Sequence, residues 1–250
     1  MSWNLPLDLK PRWSDKYQVR AYDVSPQGTL KLPVLFSYMQ QTAWRHAEHL
    51  GFGYSAVKDS GLAWVLFQVE VHISRLPIWD EEFLLDTWPS GINKFLYSRD
   101  FRMYSPEGET LAIATSTWIL IDLGTRRPRH FQLIEEMAHH MPKERTFDRL
   151  PERIRVPQEG KEEKIFARYG DLDQNGHVNT SRYVEWAVNT LPFAWHTARG
   201  KLGVVVNFLQ ETRLAESLII RSAESQGRQI VWGSRADGQV AYTMALWPME

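Results

Sequence analysis

The chain has 250 residues, 43% apolar and 12% aromatic, enough for a sizeable core and not the composition of a disordered chain. With 29 basic and 30 acidic residues its formal charge is −1, so a globally basic nucleic-acid binder is not indicated. It has no cysteine, which excludes disulfides, thiolate-held metals and a cysteine nucleophile.

The opening stretch MSWNLPLDLKPRW lacks the apolar run of a signal peptide, and no run of about eighteen apolar residues follows it. The expectation is a cytoplasmic protein without a membrane span. Residues 33–51 read as a long helix. Pro33 suits its first turn, Gly51 its end, and Phe36, Met39, Ala43, Ala47 and Leu50 share one face. GFGYSA (51–56) imitates a dinucleotide fingerprint but follows a helix instead of a strand, so it reads as a helix-stop loop. Strand-like runs follow at 62–76, 82–90, 93–104 and 110–122, many alternating with period two and separated by turn signals such as SPEG. Residues 124–160, rich in proline and charge, read as a link. Within it, His139-His140 has no partner ligands at metal-binding spacing.

Beyond the link, KIFARY reads as a strand and a second helix runs from about Asn179, a good N-cap type, to Leu191 before Pro192. Val184, Ala187, Val188 and Leu191 form its apolar stripe. Strand-like runs recur at 203–213, 216–225, 228–236 and 239–247.

Moving Gly28 onto Gly176, a shift of 148 positions, also puts Asp23 on Asp171, Val24 on Leu172 and Tyr38 on Trp186. Each half therefore reads strand, helix, then four antiparallel strands. The expected fold is α+β, a tandem double hot-dog in which each half is a long helix packed on a curled antiparallel sheet. The expected organisation is 1–123, a link at 124–160, and 161–250.

The turn YGDLDQNGHVNT (169–180) opens with the D-x-D-x-N-G spacing of a calcium loop. Six places after Gly176, where an EF-hand needs a bidentate glutamate, stands Arg182. A strand-like entry also argues against that loop. The repeat offers another reading, because Asp173, Asn175, His177 and Asn179 align with Ser25, Gln27, Thr29 and Lys31. The titratable set is present in only one copy. A turn at a helix N-terminus directs backbone amides outward and polarises a carbonyl placed there. Asn175 adds a donor, and His177 has the chemistry to orient water or carry a proton. For a general base the candidate is Glu211, towards the end of the strand after the second helix. The corresponding first-half strand carries Glu70 and His72 without the turn set.

The residues resemble the acyl-acyl-carrier-protein (acyl-ACP) thioesterases. In the second half the resemblance rests on DLDQNGHVNTSRYVEW, and in the first on TWPSGINKFLYSRDFRMY and ATSTWILIDLGTRRP. It implies a double hot-dog that hydrolyses acyl-ACP to fatty acid and carrier in fatty acid biosynthesis, with no cofactor or metal. The site would lie in the second half, and the first would shape the acyl pocket. By position, Asp173, Asn175 and His177 match the motif's catalytic trio and Glu211 the downstream acid. Where plant members carry cysteine next to that acid, this chain has Thr212, and Thr180 departs from the motif's second asparagine. The reading is a carboxylate-activated water, with direct attack by Glu211 kept open. Trp44, Trp64 and Asn179 are candidate substrate contacts. Arg126, Arg127 and Arg129 are candidates for docking the acidic carrier protein.

Three rivals stand beside this reading: an acyl-CoA thioesterase of hot-dog type, a non-catalytic acyl-binding module, and a double hot-dog dehydratase, whose His and Asp usually sit in a different helix context. Acyl chain length is not legible. Internal duplication makes a monomer feasible beside a homodimer.

Overall fold

The computed structural model describes residues 8–130, 132–197 and 200–250. Residues 1–7, where no leader was expected, lie outside them. In chain order the elements are β1 (Trp13–Gln18), α1 (Leu32–His49), α2 (Tyr54–Val57), β2 (Leu62–Ile73), β3 (Glu82–Asn93), β4 (Leu96–Tyr104) and β5 (Thr110–Asp122). Then come α3 (Gln132–Met137), β6 (Lys161–Phe166), α4 (Thr180–Asn189), α5 (Phe193–Thr197), β7 (Lys201–Phe208), β8 (Ser217–Ser225), β9 (Arg228–Arg235) and β10 (Val240–Met249). No described helix is long and apolar enough to cross a membrane.

All ten strands form one antiparallel sheet in the order β1-β3-β4-β5-β2-β7-β10-β9-β8-β6. Read from its two edges inward, the sheet repeats one strand order in both halves. The halves join through β2 and β7, from Gln68 opposite Asn207 to Ile73 opposite Leu202. The double hot-dog is therefore a single sheet with a pseudo-twofold at its centre.

Helix α1 starts with Pro33 in its first turn, and Gly51 ends it with φ +80°, a left-handed conformation that glycine adopts without steric cost. It buries Leu35 and Phe36, then Met39 and Ala43 at three- and four-residue steps, as the periodicity requires. It also buries Thr42 and His46, which the apolar pattern did not mark. Helix α4 is capped by Asn179, whose Oδ1 accepts from Ser181 N at 3.0 Å. It buries Tyr183, Val184, Trp186 and Ala187, and touches α1. One apolar core spans both halves, with Val69, Val71, Val204 and Val206 facing the helices. Each side chain of this size is worth about 1.5–3 kcal/mol when fully buried.

The link does more than join the halves. After α3 it crosses the face of the sheet opposite the helices, where Ile154 packs with Val205, Trp232 and Ala245. Its backbone groups need partners there, and buried polar side chains supply them. Asp100 Oδ2 accepts from Thr146 N at 2.6 Å, and Asn207 Oδ1 accepts from Ile154 N at 2.9 Å. Gln68 Nε2 and Asn207 Nδ2 donate to Glu152 O at 3.2 and 3.0 Å. Glu70, 1% exposed, takes a two-pronged contact from Arg149 at 2.7 and 2.8 Å and a third from His72 at 3.0 Å. Burial by itself would push the Glu70 carboxyl up, but the bonds from His72 and Arg149 prevail and hold it below its ordinary range. Glu70 and His72 thus anchor the link.

Strand β7 stops at Phe208, short of the expected 213. The amides of Leu209 and Gln210 both bond to Ala241 O, at 2.8 and 3.0 Å, which breaks the strand register. Residues 211–213 leave the sheet, and Val178 N bonds to Thr212 O at 2.9 Å. Glu211 consequently sits on a loop seated against the turn before α4.

Candidate active site

The turn before α4 closes by Asp173 N donating to His177 O at 2.7 Å and Gly176 N donating to Asp173 O at 3.0 Å. Gly176 has φ +75°, which a side chain would strain. The first half makes the same turn. There Ser25 N bonds to Thr29 O at 2.8 Å, Gly28 N bonds to Ser25 O at 2.9 Å, and Gly28 also has φ +75°. Titratable residues are therefore not needed to fold it. Register also identifies the counterpart of Glu211. Leu30 N bonds to Pro77 O as Val178 N bonds to Thr212 O, so Leu76 occupies the first-half place of Glu211. The first-half set is Ser25, Gln27, Thr29 and Leu76, with no acid or base.

In the second half the expected residues meet. Glu211 Oε2 lies 3.4 Å from His177 Nε2 and 2.6 Å from Arg126 Nη2. The second contact comes from the turn after β5, which the expected link from 124 included but which bonds back onto the first half, with Asp122 N donating to Arg127 O at 3.0 Å and Arg129 N to Leu120 O at 2.8 Å, so it joins the two halves. Among the described residues, no side chain donates to Glu211 Oε1. The loop is held from behind by Arg235 Nη1, which donates to Glu211 O at 2.9 Å, and by Tyr183, whose hydroxyl accepts from Thr212 N at 3.0 Å. Burial pushes the Tyr183 hydroxyl up to about 12, so it stays protonated.

Asp173 Oδ1 accepts from Asn175 N at 2.8 Å and from His177 N at 3.2 Å. It shapes the turn, as Ser25 Oγ does by accepting from Gln27 N at 3.3 Å. We expect Asp173→Ala to lower kcat by about 10²-fold through displacement of His177, and Asp173→Asn, whose amide oxygen also accepts, to keep most of the rate. Equal losses in steady-state assays would instead make the Asp173 charge a participant.

The helix-end amides are less available than the sequence implied. Asn179 N bonds to Asp171 O at 2.8 Å, Ser181 N to Asn179 Oδ1 at 3.0 Å and Arg182 N to Asn179 O at 2.9 Å. Asn179, placed among the substrate contacts, thus has its side-chain oxygen committed to the cap, though it lines the cavity beside Asn175 and Thr180. The physical reason is that a short side chain at the N-cap satisfies the amides that a bound carbonyl would otherwise take.

A cavity of about 1450 Å³ opens onto Asp173, His177 and Glu211 and runs along α1. Its far wall is a separate apolar cluster that includes Tyr97, Ile134 and Met137, packed by Trp64 and Trp118. Trp64 lines it half-buried, with Nε1 donating to Phe52 O at 2.8 Å. Trp44 lines it from α1, 42% exposed, its Nε1 3.1 Å from Glu48 Oε1.

The arginine cluster is divided. Arg126 turns into the site, Arg129 pairs with Asp122 at 3.2 Å, and Arg127 is exposed. Sequence reasoning missed the roles of Tyr183 and Arg235 and the contact of Arg126 with Glu211. Tyr183 was traceable, standing four places after Asn179 on one helix face. Arg126 and Arg235 approach Glu211 only through tertiary structure. Among the described residues no group of acidic and histidine side chains forms a metal site, and His139-His140 is no exception.

Chemically, the arrangement is a carboxylate with one oxygen held by a cation and close to an imidazole, its other oxygen open, at the mouth of a largely apolar cavity. Such a group can take a proton from water aimed at an ester-type carbonyl.

Residues 10–139 match the family model for the acyl-ACP thioesterase N-terminal domain, and residues 154–242 that for the C-terminal domain. Over 196 residues the chain is 26% identical to a chloroplastic palmitoyl-acyl carrier protein thioesterase of Gossypium hirsutum, covering 72% of this chain and 47% of the relative. With the chloroplastic oleoyl-acyl carrier protein thioesterase 1 of Arabidopsis thaliana it shares 25% over 199 residues, 72% of this chain and 55% of that one. The chain spans about half the length of the curated relatives it matches. In fold it is similar to a crystal structure of an acyl-ACP thioesterase from Bacteroides thetaiotaomicron, with TM-score 0.85, 23% identity, and 95% and 97% of the two chains covered. The 12:0-ACP thioesterase from Umbellularia californica gives TM-score 0.82 at 20% identity, covering 96% and 99%. The two matched domain models, in order and with the site turn inside the second, make this chain a member of the acyl-ACP thioesterase family.

Proposed function

We infer that this chain hydrolyses the thioester between a fatty acyl group and acyl-carrier protein, releasing free fatty acid and the carrier thiol in fatty acid biosynthesis. The observation that carries the reading is the Glu211–His177 pair at the mouth of a cavity whose far wall is apolar and comes from the first half and α3. Carrier and acyl class follow from the names of the relatives.

The chain's own residues divide the work as follows. Glu211 Oε1 takes a proton from water as its oxygen adds to the thioester carbon. His177 orients that water. Asn175 offers its side-chain amide to the carbonyl oxygen as negative charge develops there. The tetrahedral intermediate then expels the thiolate, which takes the proton from Glu211. The acyl chain lies in the cavity along α1, past Ala43 and Trp44 towards Trp64. Arg127, exposed beside the mouth, is placed to meet an acidic carrier. The joining of β2 to β7 within one chain supplies the pairing that single hot-dogs obtain by dimerising, so a monomer suffices.

Thiol release from a panel of acyl-ACPs, short to long, beside the matching acyl-CoAs, tests this. Faster release from the ACP series is expected. Preference for CoA would keep the chemistry and change the carrier. No release from either by the folded protein would leave an acyl-binding module.

A further inference from the structure

We propose that Arg126 is a positioning residue for hydrolysis: its guanidinium, contributed by the first half, holds Glu211 Oε2 so that Oε1 faces the attacking water. The site would then be assembled from both halves, although every titratable residue of the motif lies in the second. This rests on Glu211 being the base.

Three observations carry it. The first is the contact itself, Arg126 Nη2 to Glu211 Oε2 at 2.6 Å, between residues 85 positions apart. The second is backbone strain. Arg126 has φ +57°, a left-handed conformation that disfavours any residue with a Cβ. Of the five non-glycine residues in that region among the described residues (Asp80, Lys94, Arg126, Ala215 and Gln226), Arg126 is the one whose side chain reaches the site. Glycine would relieve the strain, so an arginine there points to a use for its side chain. The third is the build of the turn. Asp122 Oδ1 accepts from Gly124 N at 3.1 Å and Thr125 N at 2.8 Å, and Arg126 N donates to Asp122 O at 2.7 Å. These bonds with Thr125 hold the Asp122 carboxyl below its ordinary range. The turn is pinned to the rest of the half by Leu123 N bonding to Gly61 O at 2.8 Å. Arg126 is thus delivered from a rigid support, which a positioning group requires.

Geometry also separates this role from carrier docking. Arg126 lines the cavity with Glu211 and His177, whereas Arg127 does not. A guanidinium bound to one carboxylate oxygen fixes the rotation of the group and leaves the second oxygen as the proton acceptor.

The test compares Arg126→Gly, Arg126→Lys, Arg127→Ala, Glu211→Gln and the double variant Arg126→Gly/Glu211→Gln on one acyl-ACP substrate. Arg126→Gly suits the strained backbone, so the turn survives while the charge is lost. We expect kcat of Arg126→Gly to fall about tenfold or more with KM little changed, since residues joined in one ion pair act as a coupled unit. Arg126→Lys should recover part of the rate, and the double variant should be no slower than Glu211→Gln alone. A raised KM with intact kcat in Arg126→Gly, matched by Arg127→Ala, would make Arg126 a docking residue and overturn the proposal. So would a double variant slowed by the product of the single effects. Failure of the base assignment shows separately, as near-normal turnover of Glu211→Gln by itself.

Discussion

Glu211→Gln is expected to lower kcat for acyl-ACP hydrolysis by about 10²–10⁴-fold, the range that a positioned general base contributes. The substitution keeps the shape of the side chain and removes its ability to take a proton. Its effect on stability should be small. The Glu211 side chain is 30% exposed and that of Arg126 53%, and an ion pair in contact with solvent is worth about 0–1 kcal/mol. KM should change little, because in the proposed reading the cavity holds the acyl chain and the surface the carrier, and Glu211 holds neither. Steady-state kinetics with circular dichroism on the same preparation checks this. Turnover within a few-fold of the unaltered protein would remove Glu211 from the chemistry. The first half offers an internal comparison, since Leu76 stands there in place of Glu211 and Thr29 in place of His177.

The second large effect is on stability and lies away from the chemistry. His46 on α1 is fully buried, with Nε2 2.8 Å from Lys10 O and Nδ1 3.0 Å from Arg99 Nη1. Nε2 therefore carries the proton and Nδ1 accepts from the guanidinium. Burial, and then the Arg99 charge, pull His46 down from 6.5 to about 3, so it is neutral. Burial also lowers Arg99, to about 9, which leaves it charged at neutral pH. Its other bond is to Thr87 Oγ1 at 3.2 Å, and among the described residues no carboxylate pairs with it. His46→Leu strips this cation of an acceptor and should cost about 3 kcal/mol. His46→Leu/Arg99→Met should recover much of that, because replacing both polar partners by apolar groups of similar size is nearly neutral. Urea titration of the three proteins decides it, and equal losses in the single and double variants would refute it. The same pair sets a pH dependence. A histidine whose folded value is depressed contributes stability that is present above 6.5 and is lost as pH falls towards about 3. The double variant should show a shallower loss across that window.

The fold was legible in the sequence because it is written in local signals repeated twice. Pro33 and Gly51 bracket α1, alternation marks the strands, and the glycines that close the two turns stand 148 positions apart. The turn set Asp173, Asn175 and His177 was legible too, because the residues are neighbours and their absence from the first copy could be read directly. Glu211 was singled out on a strand, and the structure puts it on a loop beyond the end of β7. Its residue type was visible, whereas the end of β7 was decided by Leu209 and Gln210 bonding to Ala241, a strand more than 30 positions away. Likewise the use of Glu70 and His72, visible in the first-half strand, was decided only in the tertiary structure, where Arg149 of the link bonds to Glu70 and His72 bonds to Glu70 beside it.

What the sequence by itself determined is the duplicated architecture and which half carries acids and bases. Tertiary structure alone decided that Arg126 crosses from the first half to Glu211, that the N-cap consumes amides expected to serve the substrate, and that His46 shields a buried arginine. Periodicity and caps are properties of residues a few places apart, fixed by backbone geometry. An ion pair between residues 85 apart is fixed only when the sheet brings two loops together.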